Sequence, residues 1–324
     1  MKTVFRSLAL GLTVCFALPA AQAQGTAYPN RSIKIVVPFA PGGFTDVVAR
    51  VLGQKLGQSM GQTFIIENKP GAGSTIGATE VAKAAPDGYT LLMISTTHTI
   101  SPAIYKSLPY DPLKSFTPVT KLVDSAYVLL AHPKVPANNV KELIALAKSQ
   151  PGKLHYASSG NGSSQHLMGG MFEAMAGVEM KHVPYRGSAG AGNDLIAGVV
   201  ETSFAGVPNA LAQVPHGRLK ALAVTTSKRV PQLPDVPTMQ EAGVTGYDAS
   251  VWLALLAPAN TPRDVVSRLN AEIAKVMAQP DTHKALMDAG VEPSASTPEA
   301  LQVYMAQEME RWGKVVRSAN IRAE

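Results

Sequence analysis

Short apolar segments alternate along this 324-residue sequence with stretches in which apolar residues recur every three or four positions. Stretches such as NVKELIALAKS have the spacing of amphipathic helices. Regular alternation of strands and helices predicts an α/β protein with largely parallel sheets. The segments that we predict to be strands are SIKIVVPF, TFIIEN, TLLMIS, AYVLLA, LHYAS, KHVPY, TSFAGV, LKALAVTT and VWLALLAP.

The length of the chain predicts two lobes, because about 300 residues exceed what one hydrophobic core usually takes. Charged residues make up 16% and hydrophobic residues 46% of the sequence, which is typical of a compact globular protein. No linker separates two halves, so we expect the chain to cross between lobes more than once, near 126–131 and 251–257. The predicted lobes are 24–125 plus 255–324, and 126–254.

The first 23 residues have the composition of a secretory signal peptide. Two cationic residues precede an apolar run at 8–18, and Ala21–Ala23 has the small-x-small form of a cleavage site. We therefore predict cleavage after Ala23. The single cysteine, Cys15, lies within this segment, so we expect an exported, soluble protein without disulfides.

The formal net charge of +6 includes Lys2 and Arg6 of the leader, and is +4 without them. A basic surface favours anionic ligands. The cationic residues are scattered along the chain, whereas a nucleic-acid surface clusters them. We therefore expect no nucleic-acid partner.

The stretch IVVPFAPGGFTD runs from a strand through Pro41, Gly42 and Gly43 into a helix. Glycines leave the backbone N–H groups uncovered, and the helix dipole adds partial positive charge there, so this turn is a candidate anion site. Alternatively, the glycines only permit a tight turn, and Thr45 or Asp46 caps the helix. Asp46 also fits the role of an acidic residue in the first helical turn.

Three further turns have the same construction. The stretch LHYASSGNGSSQHLMGG passes from a strand through Gly160 and Gly162 into a helix, with serines as additional donors. VPYRGSAGAGNDL and GAGSTIG also place glycines before helices. Because ligands of parallel α/β sheets bind at the carboxyl ends of the strands, several such turns predict a cleft lined with N–H donors.

Enzymatic and metal-binding readings fit the sequence less well. It contains no complete dinucleotide fingerprint, no Walker sequence and no G-x-S-x-G elbow, and its histidines lack zinc-site spacing. Ser163 and His166 form a conceivable nucleophile and base, which keeps a secreted hydrolase as a remote alternative. We expect no cofactor, no metal and no catalytic residue.

These motifs together resemble the Bug family, the periplasmic substrate-binding proteins of tripartite tricarboxylate transporters. The resemblance is carried over nearly the whole chain after the leader by YPNRSIKIVVPFAPGGFTDVVAR, IENKPGAGSTIGATEVAKAAPDGYTLL, YASSGNGSSQHLMGGMF, VPYRGSAGAGNDLIAGVVETSFAGVP and LAVTTSKRVPQLPDVPTMQEAG. It implies a two-lobed Venus-flytrap fold that closes on a small carboxylate, held by backbone N–H groups, hydroxyls and ordered water.

The resemblance also implies a periplasmic location, a monomer and integral membrane subunits of a transporter as partners; a sensor system is the alternative partner. Matched motifs place the ligand loops at Pro41–Asp46 and Ser158–His166, called the first and second loops below. Phe44 occupies a variable position, which leaves the far end of the ligand open. The predicted ligand-binding residues are Phe39, Pro41, Gly42, Gly43, Phe44, Thr45, Asp46, Gly73, Ser74, Ser95, Thr96, Ser158, Ser159, Gly160, Asn161, Gly162, Ser163, His166, Tyr185, Arg186, Gly187 and Gly206.

Two residues compete as the main anchor of the carboxylate. If Gly43 has a positive φ, valine at this position strains the turn and covers several N–H donors. Arg186 contributes a single charged contact, to the ligand or to a carboxylate such as Asp46 or Asp194. We therefore expect Gly43→Val to weaken binding more than Arg186→Ala.

Overall fold

The computed structural model describes residues 28–185 and 187–318, and the predicted leader, 1–23, lies outside them. The described residues form alternating strands and helices, which confirms the predicted α/β class. The strands are β1 (Ile33–Val37), β2 (Phe64–Asn68), β3 (Thr90–Ser95), β4 (Phe116–Ala131), β5 (His155–Ser158), β6 (Lys181–Pro184), β7 (Thr202–Gly206), β8 (Lys220–Val224), β9 (Ser250–Pro258) and β10 (Glu292–Pro293). The helices are α1 (Phe44–Met60), α2 (Thr75–Ala82), α3 (Thr97–Ile104), α4 (Val140–Ser149), α5 (Ser164–Ala176), α6 (Ser188–Ala197), α7 (Val207–Gln213), α8 (Arg263–Met277), α9 (Pro280–Asp288) and α10 (Pro298–Ser318).

Each half of the structure contains three neighbouring parallel strands. β1 pairs with β2 and β3, and β5 pairs with β6 and β7, in parallel. Helices follow these strands, so the turns that begin α1 and α5 lie at the carboxyl ends of β1 and β5. The sheets are not parallel throughout, because β4 and β9 run antiparallel to their neighbours.

Strand β4 takes part in both sheets. Its residues Phe116–Ala126 pair with β9, and Tyr127–Ala131 pair with β7. The chain returns where the N–H of Ala249 donates to the carbonyl of Thr225 at 2.8 Å and the next residue begins β9. We propose the segments 126–127 and 249–250 as the hinge between the lobes.

Helix α10 packs against both halves. Its first part contributes Leu301 to the apolar cluster of β3 and β9, and its last part contributes Trp312 to the cluster that contains Tyr156. Between them, the buried carboxylate of Glu308 accepts the indole N–H groups of Trp252 and Trp312, each at 3.0 Å. Within 28–185 and 187–318, no helix has the length and apolar character needed to cross a membrane.

Candidate functional site

The first and second loops come from different halves of the structure and lie close together. The methyl carbon Cδ1 of Ile104, at the end of α3, lies 3.3 Å from the position that a Cβ of Gly162 would occupy. Phe44 packs against the apolar cluster of β1 and also against the cluster that contains Tyr156 and Leu167. We propose that the turns that precede α1 and α5 border a common cleft.

In the first loop, the glycine with left-handed backbone geometry is Gly42, with φ +76°. Gly43 has φ −78° and ψ 169° and is itself the N-cap of α1. The premise of a positive φ at Gly43 is therefore wrong, as is the alternative that Thr45 or Asp46 caps the helix, and the comparison of Gly43→Val with Arg186→Ala stays a prediction. The glycine pair has two different roles, because Gly42 turns the chain and Gly43 caps the helix.

Asp46 lies in the first turn of α1, as predicted, and its carboxylate is fully occupied by protein donors. It accepts the N–H of Gly42 at 2.8 Å, Nε of Arg50 at 2.9 Å and the amide of Asn68 at 2.9 Å. Burial disfavours the ionised carboxylate, but the hydrogen bonds from Arg50, Gly42 and Asn68 outweigh it, so the pKa of Asp46 is lowered. The same Asn68 amide donates to the carbonyl of Phe39 at 3.1 Å. Asp46 thus holds the first loop in place and has little capacity for a ligand.

The donors that remain in the first loop belong to the start of α1. The N–H groups of Phe44, Thr45 and Asp46 precede the first helical hydrogen bond, from Val47 to Gly43, and donate to no acceptor within the described residues. Helix starts with such groups bind anions readily. Pro41 and Gly42 are exposed and shape the entrance to the loop.

The second loop repeats the geometry of the first. Gly162 has φ +73°, and Ser163 is the N-cap of α5, with its hydroxyl accepting the backbone N–H of His166 at 3.3 Å. The Nδ1 atom of His166 accepts the N–H of Gly162 at 3.1 Å, just as Asp46 accepts that of Gly42. Ser163 therefore acts as a helix cap, and its hydroxyl makes no hydrogen bond to the imidazole, which removes the geometric basis of the hydrolase alternative.

The two loops differ in charge because their acceptors differ. His166 stacks on His182 with ring centroids 3.7 Å apart and an interplanar angle of 7°. Burial lowers the pKa of His166 to about 4, and burial together with the charge of His166 lowers the pKa of His182 to about 3. Both rings are neutral near pH 7, so the positive end of the α5 dipole meets no built-in anion, whereas α1 already has Asp46.

The serines of the second loop have unequal access to a ligand. Ser158 is fully buried, and its hydroxyl lies 2.6 Å from Nε2 of His182 and accepts the N–H of Gly160 at 3.1 Å. The N–H of Ser159 donates to the side chain of Gln165 at 2.7 Å. The N–H groups of Asn161, Ser164 and Gln165 donate to no acceptor within 28–185 and 187–318, so these groups remain for a ligand.

Ser95 and Thr96 have roles inside the protein. The hydroxyl of Ser95 donates to Thr97 at 3.0 Å. Thr96 is fully buried, and its hydroxyl accepts the N–H of Trp252 at 3.1 Å. Both residues are buried, and both hydroxyls take part in hydrogen bonds within the protein.

The third turn, between β6 and α6, is connected to the second loop. The N–H of Gly187, which has φ +116°, donates to the carbonyl of Ser159 at 3.2 Å. The hydroxyl of Tyr185 donates to Asp194 at 2.7 Å, so this phenol supports α6. Arg186 lies outside the described residues.

The GAGS turn at the end of β2 has unusual backbone geometry. Gly73 and Ser74 have φ values of +59° and +80°, and Gly73 lies directly against the ring and hydroxyl of Tyr105. The Ser74 hydroxyl is buried without a hydrogen-bond partner in the described part of the chain. Gly206 is the N-cap of α7 and lies at the end of β7, beside the hinge strand β4.

His182 was absent from the predicted site and is brought there by the sheet. Its strand pairs with β5 so that His182 lies beside Tyr156, two residues before Ser158. A histidine in the strand-like segment KHVPY carries no local signal of this role, because the partner residues come from a strand more than 20 residues earlier. Within the described residues, no group of His, Cys, Asp and Glu side chains is arranged to hold a metal.

Residues 48–321 match the sequence profile of the tripartite tricarboxylate transporter family receptor, TctC. The chain belongs to this family. Protein BugT of Bordetella pertussis is 36% identical over 310 residues, 95% of each chain. The structure of the periplasmic binding protein BugD matches with a TM-score of 0.84 at 38% identity, over 91% of this chain and 100% of BugD. The structure of R. palustris Rpa4515 with adipate matches with a TM-score of 0.87 at 36% identity, over 91% of this chain and 100% of Rpa4515.

These comparisons confirm the predicted resemblance to the Bug family and the two-lobed periplasmic binding protein fold. The homologues are solute-binding proteins and not enzymes, which agrees with the expected absence of catalysis. The receptor family therefore assigns this chain a solute-binding role.

The backbone geometry of the first loop predicts that two neighbouring glycines respond differently to the same substitution. Gly42→Ser should lower the free energy of unfolding by about 1–2 kcal/mol, the usual cost of a left-handed conformation in a residue with a Cβ. Gly43→Ser should change it by less than about 0.5 kcal/mol, because serine is a favoured N-cap and the nearest atom to a Cβ there is the Ala40 carbonyl oxygen at 3.5 Å. Urea denaturation of both variants measures this difference, and a larger loss in Gly43→Ser would contradict the assignment.

The lowered pKa values of His166 and His182 predict that the protein loses stability on mild acidification. Burial also lowers the pKa of His98 to about 4. Because the unfolded pKa is about 6.5, the unfolded state binds more protons between pH 6.5 and 4, and stability falls there as the pH falls. The slope is at most about 1.4 kcal/mol per pH unit for each histidine.

Urea denaturation at pH 7.5, 6 and 5 tests this dependence. Tyr156 stacks on His182, and Glu173 interacts with Tyr156; burial raises the pKa of Glu173, and its titration opposes the histidine contribution. His166→Asn keeps an acceptor for Gly162 without the titration, and should give a shallower curve. An unchanged slope in this variant would show that folding does not lower the pKa of His166.

Proposed function

We propose that this protein is an exported solute-binding protein that captures a small organic carboxylate and delivers it to a tripartite tricarboxylate-type transporter. The observation that carries the proposal is the pair of helix starts at the common cleft. Phe44 and Thr45 from one half, and Ser164 and Gln165 from the other, offer backbone N–H groups without other acceptors. A carboxylate has two oxygens, each able to accept more than one such donor.

The carboxylate should lie nearer the second loop than the first. The positive end of α5 is accompanied by neutral His166, whereas the positive end of α1 is already balanced by ionised Asp46. A negative charge therefore gains more at α5, and the donors of α1 take the outer oxygen or another polar group of the ligand. The adipate in the Rpa4515 structure supports an organic acid as the ligand class.

Binding between two lobes favours the closed arrangement, because only that form brings both sets of donors to one ligand. We expect the protein to act as a monomer and to meet integral membrane subunits that accept the ligand from the closed form. The membership of the chain in the receptor family supports this partnership.

Ligand binding should stabilise the folded protein in proportion to affinity. The acid is identified first, by mass spectrometry of small molecules released from the purified protein. At a concentration about 100-fold above its Kd, this acid should raise the free energy of unfolding by about 2.7 kcal/mol. Its methyl ester is the matched control and should give little stabilisation, because esterification removes the charge. Equal stabilisation by acid and ester would overturn the proposed carboxylate recognition.

Export should remove the leader at the predicted position. The proposal requires a mature protein that begins at Gln24, released by cleavage after Ala23. Intact-mass measurement on a periplasmic extract reports this directly. A mass that retains 1–23, or a lipid attached to Cys15, would refute the predicted processing.

A further inference from the structure

We propose that His182 is a positioning residue of the ligand site, and that its hydrogen bond to the buried hydroxyl of Ser158 holds the second loop in its donor geometry. This inference rests on the proposed function, because it concerns the same carboxylate site. His182 makes no contact with the cleft donors itself. It acts through Ser158 and Gly160, and through the ring of His166.

The first step of the connection runs from strand β6 to strand β5. The Nε2 atom of His182 lies 2.6 Å from the hydroxyl of Ser158, the shortest hydrogen bond that this hydroxyl makes. The same hydroxyl accepts the N–H of Gly160 at 3.1 Å and lies 3.1 Å from the carbonyl of Gly160. Ser158 is fully buried, so His182 is the side chain that fixes its hydroxyl.

The second step runs through the loop itself. Gly160 has φ +133°, and its carbonyl accepts the N–H of Ser163, the N-cap of α5, at 3.2 Å. A displacement of Gly160 therefore moves the cap and the first free donors of the helix with it. A Cβ at Gly160 would lie 3.2 Å from the carbonyl oxygen of Tyr185, so the loop has little room to adopt another position.

The third step is the contact between the two imidazoles. His182 lies between the ring of Tyr156, with centroids 5.1 Å apart, and the ring of His166, at 3.7 Å. The Nδ1 atom of His166 accepts the N–H of Gly162, so the proton of the neutral ring is on Nε2. His182 thus stacks on His166, and His166 accepts the N–H of Gly162. Together with the contact of His182 to Gly160 through Ser158, the two histidines position both glycines of the loop.

His182 lies on an edge strand, so its contacts stabilise the second loop more than the hydrophobic core. Strand β6 is at the edge of the sheet, and Lys181 and Pro184 of this strand are exposed. His182 itself is only half-buried. Its hydrogen bond to Ser158 and its stacking on His166 are contacts with the second loop, and its stacking on Tyr156 is a contact with the strand that precedes this loop.

Three variants separate the hydrogen bond from the stacking. His182→Gln places an amide near the position of Nε2 and keeps a partner for Ser158. His182→Phe keeps an aromatic ring over His166 but loses the hydrogen bond. Ser158→Ala removes the bond from the other side. His216→Phe is the matched control, since His216 is exposed on the loop between α7 and β8.

Hydrogen exchange in the ligand-free protein is the first readout, because it does not depend on knowing the ligand. The amides of Gly160 and Gly162 should exchange about ten-fold faster in His182→Phe and Ser158→Ala than in the wild type. They should stay protected in His182→Gln and His216→Phe. Unchanged exchange in His182→Phe would overturn the positioning role, whatever the ligand is.

Calorimetric titration with adipate is the second readout. His182→Phe and Ser158→Ala should each weaken binding about ten-fold, His182→Gln less than about three-fold, and the double variant no more than either single variant. Additive losses would show that the two residues act independently and would overturn the inference. If the wild type does not bind adipate, the extension of that ligand to this chain fails, and the exchange experiment still decides the role of His182.

Discussion

A single strand, β4, is hydrogen-bonded into both sheets, and the geometry of the cleft depends on it. Its first eleven residues, 116–126, pair with β9, and the rest pair with β7 and β8. The set that contains β5 is attached to β4 directly, and the set that contains β1 is attached to it through β9. The pairing partner of this strand changes between Ala126 and Tyr127, which is the reason to propose a hinge there and at 249–250. Helix α10 adds a second connection, because Glu308 ties it to Trp252 at the start of β9.

In each loop, a side chain accepts the N–H of a left-handed glycine, but the side chain differs between the two loops. A glycine in left-handed conformation directs its N–H toward the start of the following helix, where it needs an acceptor. The residue four positions later provides one in each case, Asp46 for Gly42 and His166 for Gly162. Aspartate adds a negative charge to the helix start, and neutral histidine does not. Two loops of similar backbone geometry therefore differ in charge. The start of α1 carries the Asp46 carboxylate, and the start of α5 carries the neutral His166.

Much of this fold follows from local sequence patterns. Every segment predicted as a strand is one. Most of them are buried and therefore read as short apolar runs, whereas β6 is an edge strand with exposed residues at both ends. The first part of β4, FTPVTKLVDS, was missed because Pro118 and the alternating polar residues resemble an irregular loop. The pairing with β9 determines this strand, and such non-local pairing leaves no signal in the segment itself.

The glycine turns of the candidate site were recognisable in the sequence, whereas the contacts within them were not. Glycine turns before helices identify where N–H donors are exposed. They do not reveal which glycine has positive φ, since Gly42 and Gly43 are equivalent until the position of Asp46 is known. Nor do they reveal His182, whose role exists only because β6 pairs with β5 in one register. A shift of one residue would turn this ring to the other face of the sheet.

In the proposed function, backbone donors hold the carboxylate, and side chains contact the remainder of the ligand. Phe44 contributes both a backbone donor and a side chain. Its N–H belongs to the free donors of α1, and its ring packs against the apolar clusters of both halves. Under the proposed function, an apolar ring at this position cannot pair with a second charge, so it favours a ligand whose far end is apolar or reaches past the ring to polar groups.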